Sequence, residues 1–273
     1  MLFPGQGSQT PGMRETVARV RPDLLELVLE VVGADPFALV EQGTAYAQPA
    51  IFCASISGWV ELGRPRADVM AGHSLGELAA LVVAGSISER DGLELVALRG
   101  RLMQEAGERA GEGGMVALLG RQAAALAAEL ADANGLSVAN DNSPQQVVLS
   151  GARARLAEVA ADAQERGLRA VILPVAGAFH SPMMAAAVPE FEAALAAVQV
   201  APASATVYSA VTAAPFDDVR RRLVEALTAP VRWRETLLAM REAGADRFVE
   251  VGPGRVLTAL AKRTLSDVVL VGA

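Results

Sequence analysis

The stretch Gly72-His73-Ser74-Leu75-Gly76 constrains this chain more than any other. It follows a short apolar strand pattern, Asp68 to Ala71, and opens a helical run, Glu77 to Ala84. A strand that turns at once into a helix strains the backbone at the corner and crowds its flanks, so glycines are needed on both sides. The pattern G-x-S-x-G in that setting presents a serine hydroxyl at a helix N-terminus, where free amides favour developing negative charge. Five-residue matches arise by chance in glycine-rich chains. The strand before and the helix after argue here for Ser74 as a nucleophile.

Around that corner the sequence reads as a large α/β domain with a small one inserted. Asp91 to Ala106 repeats apolar residues at Leu95, Leu102, Met103 and Ala106, an amphipathic helix. The texture then changes to strand (Met115 to Leu119), helix (Gln122 to Ala133), strand (Leu136 to Ala139), a turn at Asn142-Ser143-Pro144, strand (Gln146 to Ser150), helix (Ala152 to Arg166) and strand (Arg169 to Val175). The order βαββαβ is the ferredoxin-like signature and predicts a subdomain over 114–177, with 1–113 and 178–273 forming the large domain. Val207 to Val211 and Arg247 to Val251 are later strands, the second turning through Val251-Gly252-Pro253-Gly254 into a helix near Arg255. A cleft between the two domains is the default binding site.

Composition narrows the function classes. About half the residues are apolar, dominated by Ala, Val and Leu, which suits buried strands covered by helices. No apolar run approaches the roughly 18 residues of a membrane span. The start, Met1-Leu2-Phe3-Pro4-Gly5, shows neither a basic leader nor a secretory stretch, so a cytoplasmic protein is expected. Cys53 is the only cysteine and reads as a buried, inert thiol. A net charge of −7 and a pI near 5.0 argue against a nucleic-acid partner. The run Arg220-Arg221-Arg222 could dock an acidic partner, but a solvated helix face is the plainer reading.

A serine hydroxyl needs a base, and the chain offers two histidines. His73 adjoins Ser74, and neighbouring positions at a strand end point opposite ways, so a structural role is expected. His180 stands where Val175-Ala176-Gly177-Ala178-Phe179-His180 re-enters the large domain at the cleft mouth, and it becomes the candidate base. Arg99 lies on an apolar helix stripe with Leu95, Val96, Leu102 and Met103 at its three- and four-spaced positions, whereas Arg101 has Glu105. A buried guanidinium must be paired, and its fork matches a carboxylate. Spacing leaves open whether that carboxylate belongs to a ligand or to a distant Asp or Glu. Phe3-Pro4-Gly5-Gln6-Gly7-Ser8-Gln9 is a glycine-rich turn after a first strand, as fit for any tight turn as for bringing amides to a ligand.

Taken together with Leu98-Arg99-Gly100, Asn142-Ser143-Pro144, Gly177-Ala178-Phe179-His180 and Val251-Gly252-Pro253-Gly254, these motifs resemble, in order from end to end, the malonyl-CoA:acyl carrier protein transacylase family. The resemblance implies a large α/β-hydrolase-like domain with a mostly parallel sheet, an inserted ferredoxin-like subdomain and a Ser-His dyad. It makes Ser74 the nucleophile, His180 the base and Arg99 the residue that holds the malonyl carboxylate. It places the oxyanion on the backbone amides of Gln6 and Leu75, and it puts Gln48, Asn142, His73 and Phe179 around the substrate. A main-chain carbonyl near Val251-Gly252, with Glu250 the nearest candidate, is expected to orient the imidazole. Malonyl-CoA would be the substrate and an acyl carrier protein the partner, with no permanently bound cofactor, no metal, no nucleic acid and no membrane. Gly177-Ala178-Phe179-His180 is similar to a malonyl-selecting motif of polyketide acyltransferases, and Leu75 points the same way. An acyl-thioester hydrolase with the same dyad is the alternative.

Overall fold

The computed structural model describes residues 1–175 and 177–272, so Ala176 of the returning segment lies outside the described residues. Its strands are β1 (Leu2–Phe3), β2 (Val69–Gly72), β3 (Gly113–Leu119), β4 (Ser137–Ser143), β5 (Gln146–Ala152), β6 (Arg169–Ile172), β7 (Thr206–Ser209), β8 (Ala214–Pro215), β9 (Arg247–Glu250) and β10 (Val269–Gly272). Its helices are α1 (Met13–Val20), α2 (Pro22–Val32), α3 (Thr44–Glu61), α4 (Gly76–Val83), α5 (Glu89–Ala110), α6 (Ala123–Ala133), α7 (Arg153–Glu165), α8 (Val188–Ala197), α9 (Val219–Glu225), α10 (Trp233–Glu242) and α11 (Val256–Thr264).

Two sheets form. The larger has the order β10-β9-β1-β2-β7-β8 and is parallel except for the edge strand β8. Its central strand β1 is fully buried, as a parallel strand covered on both faces must be. Phe3 pairs in register with Gly72, so the loop after β1 and the corner after β2 leave the sheet side by side at its carboxyl edge. The smaller sheet, β4-β5-β3-β6, is antiparallel throughout. Side chains alternate along its strands. Val116, Leu118, Val147 and Leu149 pack under α6 and α7, while Met115, Ala117 and Val148 face the main core. That second face becomes a wall of the cleft.

The two sheets are stitched together at β4. Val231 donates to Ala139 O at 2.8 Å and accepts from Asp141 N at 2.9 Å, and Arg234 grips the Asp141 carboxylate with Nε at 2.9 Å and Nη2 at 2.6 Å. β4 runs on through Ser143, so Asn142 belongs to a strand and the turn falls later, at Pro144-Gln145. The run Asn140-Asp141-Asn142-Ser143 hides this because polar residues are rare in strands and register shifts between Val138/Asn140 and Asp141/Ser143 break the alternation. β6 stops at Ile172, short of the expected Val175.

The basic run is spoken for within the chain. Arg220 donates to Leu195 O and Val198 O, and Arg221 and Arg222 pair with Asp217, Arg222 also with Glu225. Arg101 pairs with Glu105 at 2.9 Å. Cys53 is buried, which pushes its thiol well above the usual range. Among the described residues no helix is long and apolar enough to cross a membrane, and no cluster of metal-ligating side chains occurs.

Candidate active site

The corner between β2 and α4 is built from close approaches. A Cβ on Gly72 would lie 1.9 Å from the carbonyl carbon of Gly76, and one on Gly76 would lie 2.2 Å from Phe3 O, so neither position admits a side chain. Ser74 between them has φ 53°, a left-handed conformation that costs a serine roughly 1–3 kcal/mol. His73 N to Phe3 O at 2.9 Å and Glu77 N to Ser74 O at 3.1 Å hold it there. Seven of the eight residues of α4 are buried, which fixes the helix beneath the serine. The amides of Leu75 and Gln6 donate no hydrogen bond among the described residues, leaving two N–H groups free beside the serine.

His180 is 4% exposed, and its Nε2 lies 2.8 Å from Ser74 Oγ. Its Nδ1 lies 2.9 Å from Ala226 O. A carbonyl only accepts, so Nδ1 carries the proton and Nε2 is the free acceptor facing the serine. Ala226 closes α9, and its carbonyl is one of those the helix leaves unpaired at its negative end. The orienting carbonyl is thus at Ala226, not near Val251-Gly252. Glu250 is committed elsewhere, accepting from Leu257 N at 2.9 Å, Thr258 N at 2.7 Å and Thr258 Oγ1 at 2.6 Å to cap α11. Burial, then the positive charge of Arg99, then His73 push the His180 imidazole down to about 3. The ring is neutral near pH 7, as a base must be.

Arg99, on α5, is 3% exposed. Its Nη1 donates to Gln48 Oε1 at 2.8 Å and its Nη2 to Ser74 Oγ at 3.2 Å. Among the described residues it forms no ion pair. Burial lowers it to about 10, and Glu77 resists the change, so the guanidinium stays charged. A buried cation without a counter-ion among the described residues, beside a hydroxyl bonded to an imidazole, suits an incoming anion. Gln48 is in turn held by Thr44, which bonds Gln6, and these contacts line the same wall.

His73 Nε2 lies 2.8 Å from Asn142 Oδ1 and its ring meets Trp233 edge-on at 5.4 Å, so it ties the corner after β2 to β4 of the smaller sheet and to α10 while Ser74 turns to His180. Desolvation lowers its pKa. All nine residues singled out from the sequence, Gln6, Gln48, His73, Ser74, Leu75, Arg99, Asn142, Phe179 and His180, line one cleft of about 380 Å³. A second hollow of about 400 Å³, between Gln9–Glu15 and Phe37–Glu41, holds no base paired with a nucleophile.

A serine bonded to a neutral imidazole, two free amides and a buried cation suit transfer of an acidic acyl group. Compared with known families, residues 1–272 match the acyl transferase domain. The chain belongs to the acyl transferase family. This acyltransferase is 40% identical over 281 residues to the polyketide biosynthesis protein ThaF of Burkholderia thailandensis, covering 97% of its own length and 24% of that protein. It therefore spans about a quarter of that relative. It is 37% identical to the malonyl CoA-acyl carrier protein transacylase of Haemophilus influenzae over 98% of its own length and 92% of the relative's. A malonyl-transacylase solved in complex with a type II polyketide acyl-carrier protein superposes with a TM-score of 0.88 at 34% identity, covering 100% of this chain and 94% of that one.

Four residues of the acyltransferase's site escaped the sequence reading: Ala226, Trp233, Thr44 and Glu77. Ala226 acts through its backbone, which carries no sequence signal. Trp233 and Thr44 come from segments without a readable motif. Glu77 had a signal, a carboxylate three residues after the nucleophile. It is 1% exposed, accepts from Ala210 N at 2.7 Å, and is pushed up to about 7 by burial.

Proposed function

We propose that this acyltransferase moves a malonyl group from malonyl-CoA to the phosphopantetheine thiol of an acyl carrier protein through an ester on Ser74. The observation that carries the proposal is Ser74 Oγ standing between His180 Nε2 at 2.8 Å and the unpaired guanidinium of Arg99 at 3.2 Å. The malonyl carboxylate seats on Arg99. As His180 Nε2 takes the Ser74 proton, Oγ attacks the thioester carbonyl, and the oxyanion rests on the amides of Gln6 and Leu75. The C–S bond then breaks and the sulfur leaves with the proton from His180. In the second half, the carrier's thiol gives its proton to His180 and attacks the seryl ester, and Oγ recovers that proton.

Arg99 has a second effect. Its positive charge is one cause of the depressed basicity of His180, so a carboxylate that neutralises it makes the imidazole a stronger base with substrate in place. A substrate without the carboxylate leaves that brake on.

The architecture supports a large domain (1–113 and 178–273) related to α/β hydrolases with a ferredoxin-like insert (114–177), read from the interrupted parallel sheet and the order β4-β5-β3-β6. We take the protein to be cytoplasmic, to need no permanent cofactor or metal, and to bind neither nucleic acid nor membrane. The hydrolase alternative lacks support among the relatives named above, which are transacylases or a polyketide biosynthesis protein. The test is to mix the protein with malonyl-, methylmalonyl- and acetyl-CoA, quench, and map adducts by peptide mass spectrometry, then add a carrier protein. A malonyl adduct on Ser74 that passes to the carrier is expected; an adduct on another residue, or release to water alone, refutes the proposal.

A further inference from the structure

We propose that Thr44 is a positioning residue that ties the carboxylate-binding arginine to the loop carrying the Gln6 amide, so that anion recognition and oxyanion stabilisation form one hydrogen-bonded unit. The inference rests on the malonyl-transfer reading above. Three bonds compose the unit: Arg99 Nη1 to Gln48 Oε1 at 2.8 Å, Gln48 Nε2 to Thr44 Oγ1 at 2.9 Å, and Thr44 Oγ1 to Gln6 Oε1 at 2.8 Å.

The chemistry of the groups leaves one polarity. Arginine only donates, so the Gln48 atom that meets it is the carbonyl oxygen, which turns the Gln48 amide nitrogen toward Thr44. That nitrogen also only donates, so the Thr44 oxygen accepts from it. The single hydroxyl proton of Thr44 is then free for Gln6, whose carbonyl oxygen accepts. Every donor points away from the cation, and aligned bonds of this kind strengthen one another in a buried setting. Thr44 and Gln48 are 3% and 2% exposed, and Arg99 3%.

Gln6 is different: it is exposed and sits in a loop whose next residue, Gly7, has φ 99°. Among the described residues its bond to Thr44 is the one hydrogen bond it makes. The loop's inner end is buried at Pro4 and Gly5, and beyond it Ser8 closes back on Gly5 O. The Thr44 hydroxyl is therefore what fastens residue 6 to the α3 and α5 wall, and with it the amide that faces the developing oxyanion.

The experiment separates hydroxyl from shape. Thr44→Val keeps the branched shape and removes the hydroxyl, whereas Thr44→Ser keeps the hydroxyl and removes the methyl. Removing one oxyanion donor outright costs about 10²–10³-fold in kcat, so loosening one should cost about 10–100-fold. Thr44→Val is expected to lower the single-turnover rate of Ser74 malonylation and kcat by that factor with KM within about twofold, and Thr44→Ser to stay within about threefold of wild type. Gln6→Met should reproduce the loss, and the Thr44→Val/Gln6→Met double variant should lose no more than either single change. Thermal melts identify variants that fail to fold, for which Thr44→Ser against Gln6→Met becomes the comparison. A Thr44→Val protein with wild-type kcat, a Thr44→Ser protein as slow as Thr44→Val, or additive losses would overturn the inference. If wild type forms no malonyl ester on Ser74, it is the functional reading that has failed instead.

Discussion

The two walls of the cleft differ in kind. The wall beside the larger sheet carries the strained serine, two imidazoles, a buried guanidinium and two amides that donate no hydrogen bond among the described residues. The facing wall, from the small sheet and the segment after it, presents Met115, Asn140, Asn142, Gln146, Val148 and Leu173, none of them ionisable. One side gathers the reactive and charged groups and the other gives shape. The division follows from the sheets: parallel strands end together and gather loops and helix termini at one edge, whereas an antiparallel sheet offers a regular face of alternate side chains. Substitutions on the first wall should therefore act on kcat, and those on the second on KM.

The largest effect expected is for Ser74→Ala and His180→Ala, each lowering malonyl transfer by about 10³–10⁶-fold, with the double variant no worse than the weaker single. Steady-state transfer to a carrier protein measures it. A chemistry-wall variant with kcat intact would break the comparison outright. Next comes Arg99→Ala, which should cut malonyl transfer about 10²-fold or more while sparing or improving acetyl transfer, checked by competing the two coenzyme A esters. Equal losses for both substrates would mean that the guanidinium does not read the carboxylate.

Much of this site could be read from the sequence because it depends on features that sequence carries directly. Ser74 is marked by glycines that sterics demand at positions 72 and 76, and Arg99 by the absence of an acid on its helix stripe. The separate antiparallel sheet with its two helices is legible in the βαββαβ order of its segments. What could not be read depends on backbone or on burial from all sides. The Ala226 carbonyl has no side-chain signature. Helix α3, with twelve of its eighteen residues buried and Pro49 inside it, has no amphipathic period to detect, so Thr44 stayed hidden. The polar residues of β4 looked like a turn because bulges and asparagines there serve the cleft rather than the sheet.

On the shape wall, Val148→Ala should raise the KM for malonyl-CoA about two- to fivefold and leave kcat within about twofold, measured by steady-state kinetics. A kcat loss as large as that for Arg99→Ala would erase the distinction between the walls. The smallest effect concerns Glu77, which takes no part in the transfer steps. Its folded value of about 7 lies above the ordinary 4.5, so the folded protein holds the proton more tightly. Its contribution to stability is present below pH 4.5 and is lost as pH rises through 7. Glu77→Gln removes that titration while keeping an acceptor for Ala210 N. Between pH 5 and pH 8, wild type should lose about 2–3 kcal/mol relative to Glu77→Gln in chemical denaturation. A constant difference would show that the buried carboxyl is not held protonated.

The most direct measurement is a crystal structure of the protein trapped as its malonyl-enzyme. An ester on Ser74 Oγ is expected, its free carboxylate forked onto the Arg99 guanidinium and its carbonyl oxygen facing the amides of Gln6 and Leu75. A carboxylate turned to solvent, with Arg99 still bound only to Gln48, would contradict it.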